Sequence, residues 1–215
     1  MKKILVLSTL LALAAALTAQ AGGNSFSLGF EARGWKADQL EKLTDRDNVI
    51  GGAMRMQFGL ADYLALDLAG GCMGAWDEVT VVDGPNRWKY DTNVFVIPVQ
   101  AGLIARIPLL SSVDLVAGGG AGYYWVRCEI EDHYDRHRHH RHYEDFDLGD
   151  DWGYYARAGI DWSPAPGVSL YGEVRYDWLT FDLKDEAKEY AEETGMDKEI
   201  SFDGLGAAVG LRFHF

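Results

Sequence analysis

Cysteine, positive charge and long apolar runs are all scarce in this 215-residue chain. Cysteine occurs only as Cys72 and Cys128. Two thiols in an oxidising compartment can pair, but they do not make a disulfide framework, and sequence spacing leaves their pairing open. Lysine and arginine number 20 against 33 aspartates and glutamates, a formal net charge of -13. An acidic surface of that size repels phosphate backbones and excludes nucleic acid as the natural partner. Beyond the first residues, no apolar run approaches the roughly 20 residues of a membrane-spanning helix. The longest, Val94 to Ile107, is interrupted by Pro98, Gln100 and Arg106. Histidine is nearly confined to one place: His133, His137, His139, His140 and His142 stand together, and His214 stands alone.

What is present begins with a leader. Lys2 and Lys3 precede an apolar run from Ile4 to Leu17, and Ala19-Gln20-Ala21 follows. That order of charged, apolar and small residues predicts a secretory signal peptide over 1–21, leaving 22–215 as a single domain. An uncleaved anchor is the rival reading, but the run is short for about 30 Å of hydrocarbon. No cysteine lies near the cleavage site, so no lipoprotein signal is expected.

The mature region alternates. From Leu205 to Phe215 every second residue is apolar, against Gly206, Ala208, Gly210, Arg212 and His214. Successive strand side chains point to opposite faces, so this is a strand with one greasy face and one mixed face. The same pattern recurs over about 26–35, 49–60, from Tyr63 on, 90–107, 113–127, 151–162 and 168–178, giving eight strands. Their connections alternate long and short. The long ones are polar stretches centred near residues 42, 83, 139 and 190, with a short helix expected over 185–194 and a mainly irregular segment over 128–150. A soluble sandwich has no reason to put every long connection at one end. An outer-membrane barrel does, with short periplasmic turns, long external loops and an even strand number. Aromatics cluster at both strand ends: Trp76, Trp125, Trp152 and Trp178 toward the long loops, and Tyr63, Trp162, Phe213 and Phe215 toward the short turns. Two such belts are expected at two membrane interfaces. The fold expected is all-β: an eight-stranded antiparallel up-and-down transmembrane β-barrel.

With its leader, its strand and loop rhythm and its terminal Gly210-Leu211-Arg212-Phe213-His214-Phe215, the chain resembles the small outer-membrane barrels of the OmpA-barrel and OmpX-like group over about residues 24–215. The resemblance implies an outer-membrane location in a diderm, Gram-negative-type bacterium, with lipid and lipopolysaccharide around the barrel. It also implies that Gly210, Phe213 and Phe215 belong to a signal read by the barrel assembly machinery. The polar residue usual two places before the glycine is Ala208 here. The group contains adhesins, structural proteins, channels and lipid-modifying enzymes, so the resemblance leaves activity open.

The mixed faces carry charge. Glu31, Asp67, Asp114, Asp161 and Glu173 oppose Arg33, Arg55, Arg106, Arg157, Arg175 and Arg212. An eight-stranded barrel leaves an interior that side chains just fill, so enclosed charges must pair. The expectation is a structural ion-pair network of Glu31, Arg33, Arg55, Asp67, Arg157, Glu173 and Arg175, with Glu173 and Arg175 facing Arg157, rather than an open conduit. Gly118-Gly119-Gly120-Ala121-Gly122 lies within a strand and opens no helix, so it makes room for bulky lumen side chains rather than cradling phosphate. The five clustered histidines are candidate ligands for zinc, nickel or copper. Interleaved Arg136, Arg138 and Arg141 repel a cation, and a pH-responsive surface loop is the plainer reading. No cofactor is otherwise expected. A lipid-active enzyme would need a Ser-His pair at the outer rim, and no strand supplies one there. The sequence therefore predicts a monomeric barrel without an open pore, acting through its external loops on a surface ligand.

Overall fold

The computed structural model describes the chain path over residues 26–40, 47–83, 86–132, 143–182 and 199–215. Side chains are described over the same residues except 78–83, 86–92, 128–132, 143–149, 182 and 199. Eight antiparallel strands close on themselves: β1 (Phe26–Ala37), β2 (Asn48–Ala61), β3 (Leu64–Asp83), β4 (Asn86–Leu110), β5 (Val113–Asp132), β6 (Tyr143–Ala165), β7 (Val168–Trp178) and β10 (Gly204–His214). Two further short strands, β8 (Thr180–Asp182) and β9 (Glu199–Ser201), form a separate ribbon between β7 and β10. The barrel seam joins the first and last strands, from Ser27 opposite His214 to Ala37 opposite Gly204. Closure gives every strand of the wall a paired neighbour on each side, so no sheet edge faces lipid, the condition a strand must meet to cross a membrane.

The alternation read from the sequence is the alternation of the wall. Along β7, Ser169, Tyr171, Glu173, Arg175 and Asp177 are buried in the lumen, while Leu170, Val174 and Trp178 are exposed. Phe30, Ile50, Met54, Ile97, Leu103, Val209 and Leu211 extend the outer apolar surface around the barrel. The three short turns join β2 to β3, β4 to β5 and β6 to β7. In the last, Gly167 has a φ of 79° and follows Pro166, the residue pair that a type II turn demands. Exposed Trp76, Trp152, Tyr154 and Trp178 stand toward the long-connection end. There, the Tyr123 ring meets Trp125 at 4.8 Å and Trp152 at 5.4 Å. Exposed Tyr63, Trp162, Phe213 and Phe215 mark the other end, where Phe26 packs against Phe58 at 5.2 Å and Phe215 at 5.7 Å.

Two long connections are shorter than the sequence suggests. The polar stretch around 76–89 is strand: β3 and β4 stay paired from Trp76 opposite Asn93 up to Asp83 opposite Asn86. Most of 128–150 is likewise strand, since β5 and β6 pair as far as Glu131 opposite Tyr143. Once a hairpin rises above the hydrocarbon, its outer positions turn polar and the apolar signature of a lipid-facing strand vanishes while the pairing continues. Neighbours stop earlier: β2 last pairs β3 at Gly74, and β7 last pairs β6 at Tyr154. Strands β3 to β6 therefore stand above the rest of the wall as a four-stranded sheet.

The register also separates the cysteines. Cys128 stands opposite Val94, and Val94 opposite Ala75. Two strand spacings of about 4.8 Å each lie between β3 and β5, before the offset along β3 is added. A disulfide needs Cα atoms within about 7 Å, so the two cannot bridge. Cys72 is an exposed free thiol. The leader, the loop centres near 42, 139 and 190, and the helix expected over 185–194 lie outside the described residues.

Candidate functional site: the barrel lumen

The lumen is filled in layers. The middle layer is charged. Glu173 receives both ends of the Arg55 guanidinium, Nη1 at 3.0 Å and Nη2 at 2.9 Å, and Arg157 Nη1 at 2.7 Å. Arg55 Nη2 also lies 3.0 Å from Glu31, and Arg157 Nη2 lies 3.0 Å from Asp67. Glu31 accepts from Arg33 Nη2 at 2.6 Å and from the Tyr171 hydroxyl at 3.0 Å. Glu31, Arg33, Arg55, Asp67, Arg157 and Glu173 thus form one connected cluster drawn from five strands. Arg175 is opposite Arg157 in register, yet its guanidinium belongs to an adjoining cluster. It donates through Nε to Asp177 at 2.7 Å and through Nη1 to Gln100 at 3.1 Å, and it lies 4.6 Å above the Tyr155 ring. Asp177 also accepts from Tyr124, which accepts from Gln100. Arg212 pairs with Asp161 and stacks over Tyr171 at 4.5 Å.

Bidentate and charge-assisted bonds of this kind hold the charges in fixed geometry and offset the cost of taking them from water. Glycine makes the space. A Cβ on Gly210 would sit 2.6 Å from the Tyr171 ring, and one on Gly102 would sit 2.5 Å from the Tyr155 hydroxyl. In the glycine run of β5, a Cβ on Gly122 would sit 2.9 Å from Gln100 and 3.0 Å from Tyr124. Gln57, Gln100, Tyr124, Tyr155, Tyr171 and Asp177 were not assigned to the network from sequence. All share the lumen parity of their strands, and that parity was the signal available.

Among the described residues the buried core of the outer layer is apolar. Trp35, Val49, Met73, Val94, Val96 and Val126 point inward from the barrel and meet Leu40, Leu179, Phe181, Ile200 and Phe202 in one buried apolar cluster. The Phe202 ring packs edge-on against Trp35 at 6.2 Å and Phe181 at 5.4 Å. The ribbon carrying these residues is stitched down: Leu179 N–H donates to Asp203 Oδ1 at 2.6 Å, Asp38 N–H to Asp203 O at 2.7 Å, and Ser201 N–H to Gln39 Oε1 at 3.3 Å. The expectation of a lumen filled by ion pairs is corrected here. Ion pairs occupy the middle, and an apolar cap closes the outer end. The inner end holds a cavity of about 230 Å³, lined in part by Arg106, Asp114 and His214.

The Ser-His pair that the lumen does contain lies at this inner end, where Ser169 Oγ and His214 Nε2 are 2.7 Å apart. The five clustered histidines lie outside the described residues. Among the described residues no group of three His, Cys, Asp or Glu side chains is placed to hold a metal. Phe213 and Phe215 are exposed at the inner rim, and Phe215 N–H donates to Phe26 O at 2.8 Å.

A closed eight-stranded wall, apolar outside and cross-linked by charge inside, is the geometry of an outer-membrane barrel. The family model described as "Outer membrane protein beta-barrel domain" matches residues 4–215. The chain belongs to that family. Its fold is similar to a major outer membrane protein from Thermus thermophilus, at 14% identity and a TM-score of 0.61, covering 90% of this chain and 100% of that one. It is also similar to the outer membrane protein OprG from Pseudomonas aeruginosa, at 14% identity and a TM-score of 0.58, covering 90% and 96%. A more distant likeness is to Ail, the attachment invasion locus protein of Yersinia pestis, at 14% identity and a TM-score of 0.44, covering 89% and 97%. No curated protein matches the sequence. At these identities the likenesses establish fold alone, and the family gives an outer-membrane location.

Proposed function

We propose that this outer-membrane barrel is a monomeric surface-interaction protein of a diderm bacterium, with an adhesin-like role carried by its raised outer face and no open pore. The observation that carries the reading is the four-stranded extension. Beyond Gly74, β3 is paired only to β4, and before Tyr154, β6 is paired only to β5 among the described residues. Residues 75–83 and 143–153 are therefore sheet edges without a second ladder partner among the described residues, although β8 packs beside part of β6 and Ala75 is buried in the apolar cap. Unpaired edges are templates for strand addition by another chain, and main-chain hydrogen bonding needs no particular partner sequence. The filled lumen supports the second half of the reading, since nothing in an apolar cap over an ion-pair layer favours a water column. Gly210, Phe213 and Phe215 are read as the assembly signal of the closing strand.

Deletion of residues 131–145 tests the reading. Binding of protein-bearing outer-membrane vesicles to a surface coated with extracellular-matrix proteins is expected to fall at least tenfold. Retention of the heat-modifiable gel band would show that the barrel still assembles. Unchanged binding by an assembled deletion variant would contradict the role given to the raised sheet.

A further inference from the structure

Among the described residues, every lumen arginine but one has an ion-pair partner. Arg33, Arg55, Arg157, Arg175 and Arg212 each lie within 4.0 Å of a carboxylate. Arg106 has hydrogen bonding but no such partner. Its Nη2 donates to Gln57 Oε1, and its buried Nε, like those of Arg33, Arg55 and Arg212, has no hydrogen-bond partner. The same side chain lines the cavity at the inner mouth. We propose that this mouth is a binding site for a small, singly charged carboxylate, with Arg106 as its anchor.

The surroundings are built to hold the guanidinium. Gln57 is buried, and its Nε2 donates to Asp67 Oδ1 at 2.8 Å. That bond turns the amide so that its oxygen faces Arg106. His214 is held against β7 by its 2.7 Å contact with Ser169, and it lines the cavity together with Ser27. A guanidinium presents a planar fork that matches a carboxylate, and that of Arg106 has none within 4.0 Å among the described residues, since Asp161, Asp114 and Asp67 act on it only from farther away. Asp62 and Asp114 line the same cavity. They repel any anion, a doubly charged one most, and favour a ligand whose single carboxylate is accompanied by an amine. A volume of about 230 Å³ admits a short acid or the end of a peptide, not a lipid chain. The site faces the periplasmic side and is independent of the outer-face reading.

The test is an NMR titration of the refolded full-length barrel in detergent, following the Arg106 Nε–H and Gln57 side-chain amide signals. The probes are acetate, Ala-Ala-Ala and C-terminally amidated Ala-Ala-Ala. Acetate is expected to shift both signals saturably. In Arg106→Gln the Gln57 shift should be lost, and Arg106→Lys should weaken binding at least tenfold. Both variants leave the other ion pairs intact, and the heat-modifiable band checks their folding. If the free tripeptide binds tenfold tighter than acetate, the natural source is a peptide C-terminus; equal affinity indicates a free small acid. Either result supports the carboxylate site. Non-saturating shifts, binding by the amidated peptide equal to the free acid, or an unchanged Gln57 response in Arg106→Gln would overturn it.

Discussion

The middle and the outer end of the lumen are enclosed by the same strands but filled by opposite chemistry. In the middle, carboxylates and guanidiniums interlock across the barrel. At the outer end, valines and aromatic rings pack as they would in a water-soluble core. The difference follows from what each level has outside it. At mid-wall the outer face is lipid, so apolar side chains are spent there and polar ones are left for the inside. Toward the loops the outer face meets water, and the inside becomes the place where apolar side chains are buried. The barrel is thus a membrane protein at its waist and resembles a soluble protein at its outer rim.

The comparison is broken most severely at the waist. Glu173→Ala leaves Arg55 and Arg157 without their shared carboxylate, and breaking a buried charge cluster in this way costs about 4 kcal/mol. Urea unfolding in phospholipid vesicles, followed by tryptophan fluorescence, measures that loss. Phe202→Ala removes the ring wedged between Trp35 and Phe181, and a core truncation of this type costs about 3 kcal/mol. Its effect should be local, with faster amide exchange in β8 and β9 and an unchanged mid-wall. Gly210→Val drives a side chain into the Tyr171 ring, an overpacking expected to cost about 2 kcal/mol in the same unfolding assay.

The smallest effect belongs to the exposed rim. The Lys36 ammonium, 2.6 Å from Asp47, donates a hydrogen bond that holds the Asp47 carboxyl below its ordinary value. A depressed carboxyl contributes stability above its unfolded pKa and loses it as pH falls through the folded one. This pair therefore adds no change in unfolding midpoint between pH 7 and pH 5, and Asp47→Asn should lower the midpoint at pH 7 only slightly, as expected of an exposed pair.

Much of this could be read from the chain. Strand parity held throughout the membrane-spanning wall because lipid keeps polar and charged side chains off every second position. Glu173 and Arg157 were legible as partners because they share lumen parity on adjacent strands. The raised sheet was not, because Asp77, Glu78 and Thr80 break the apolar alternation where β3 leaves the membrane. The outer cap was hidden differently. Val94, Phe95, Val96 and Ile97 form an unbroken apolar run, which signals a strand covered on both faces, but the covering residues Phe181 and Phe202 lie far along the chain. The inner cavity collects Gln57, Arg106 and His214 from three strands, and only closure of the barrel brings them together.

A lumen filled at its waist and capped at its outer end leaves no path for ions. Single-channel recording in planar bilayers measures that closure. The filled lumen predicts no discrete conductance steps from the wild-type protein in roughly molar KCl. Stable, reproducible open-channel steps from the intact barrel would contradict it.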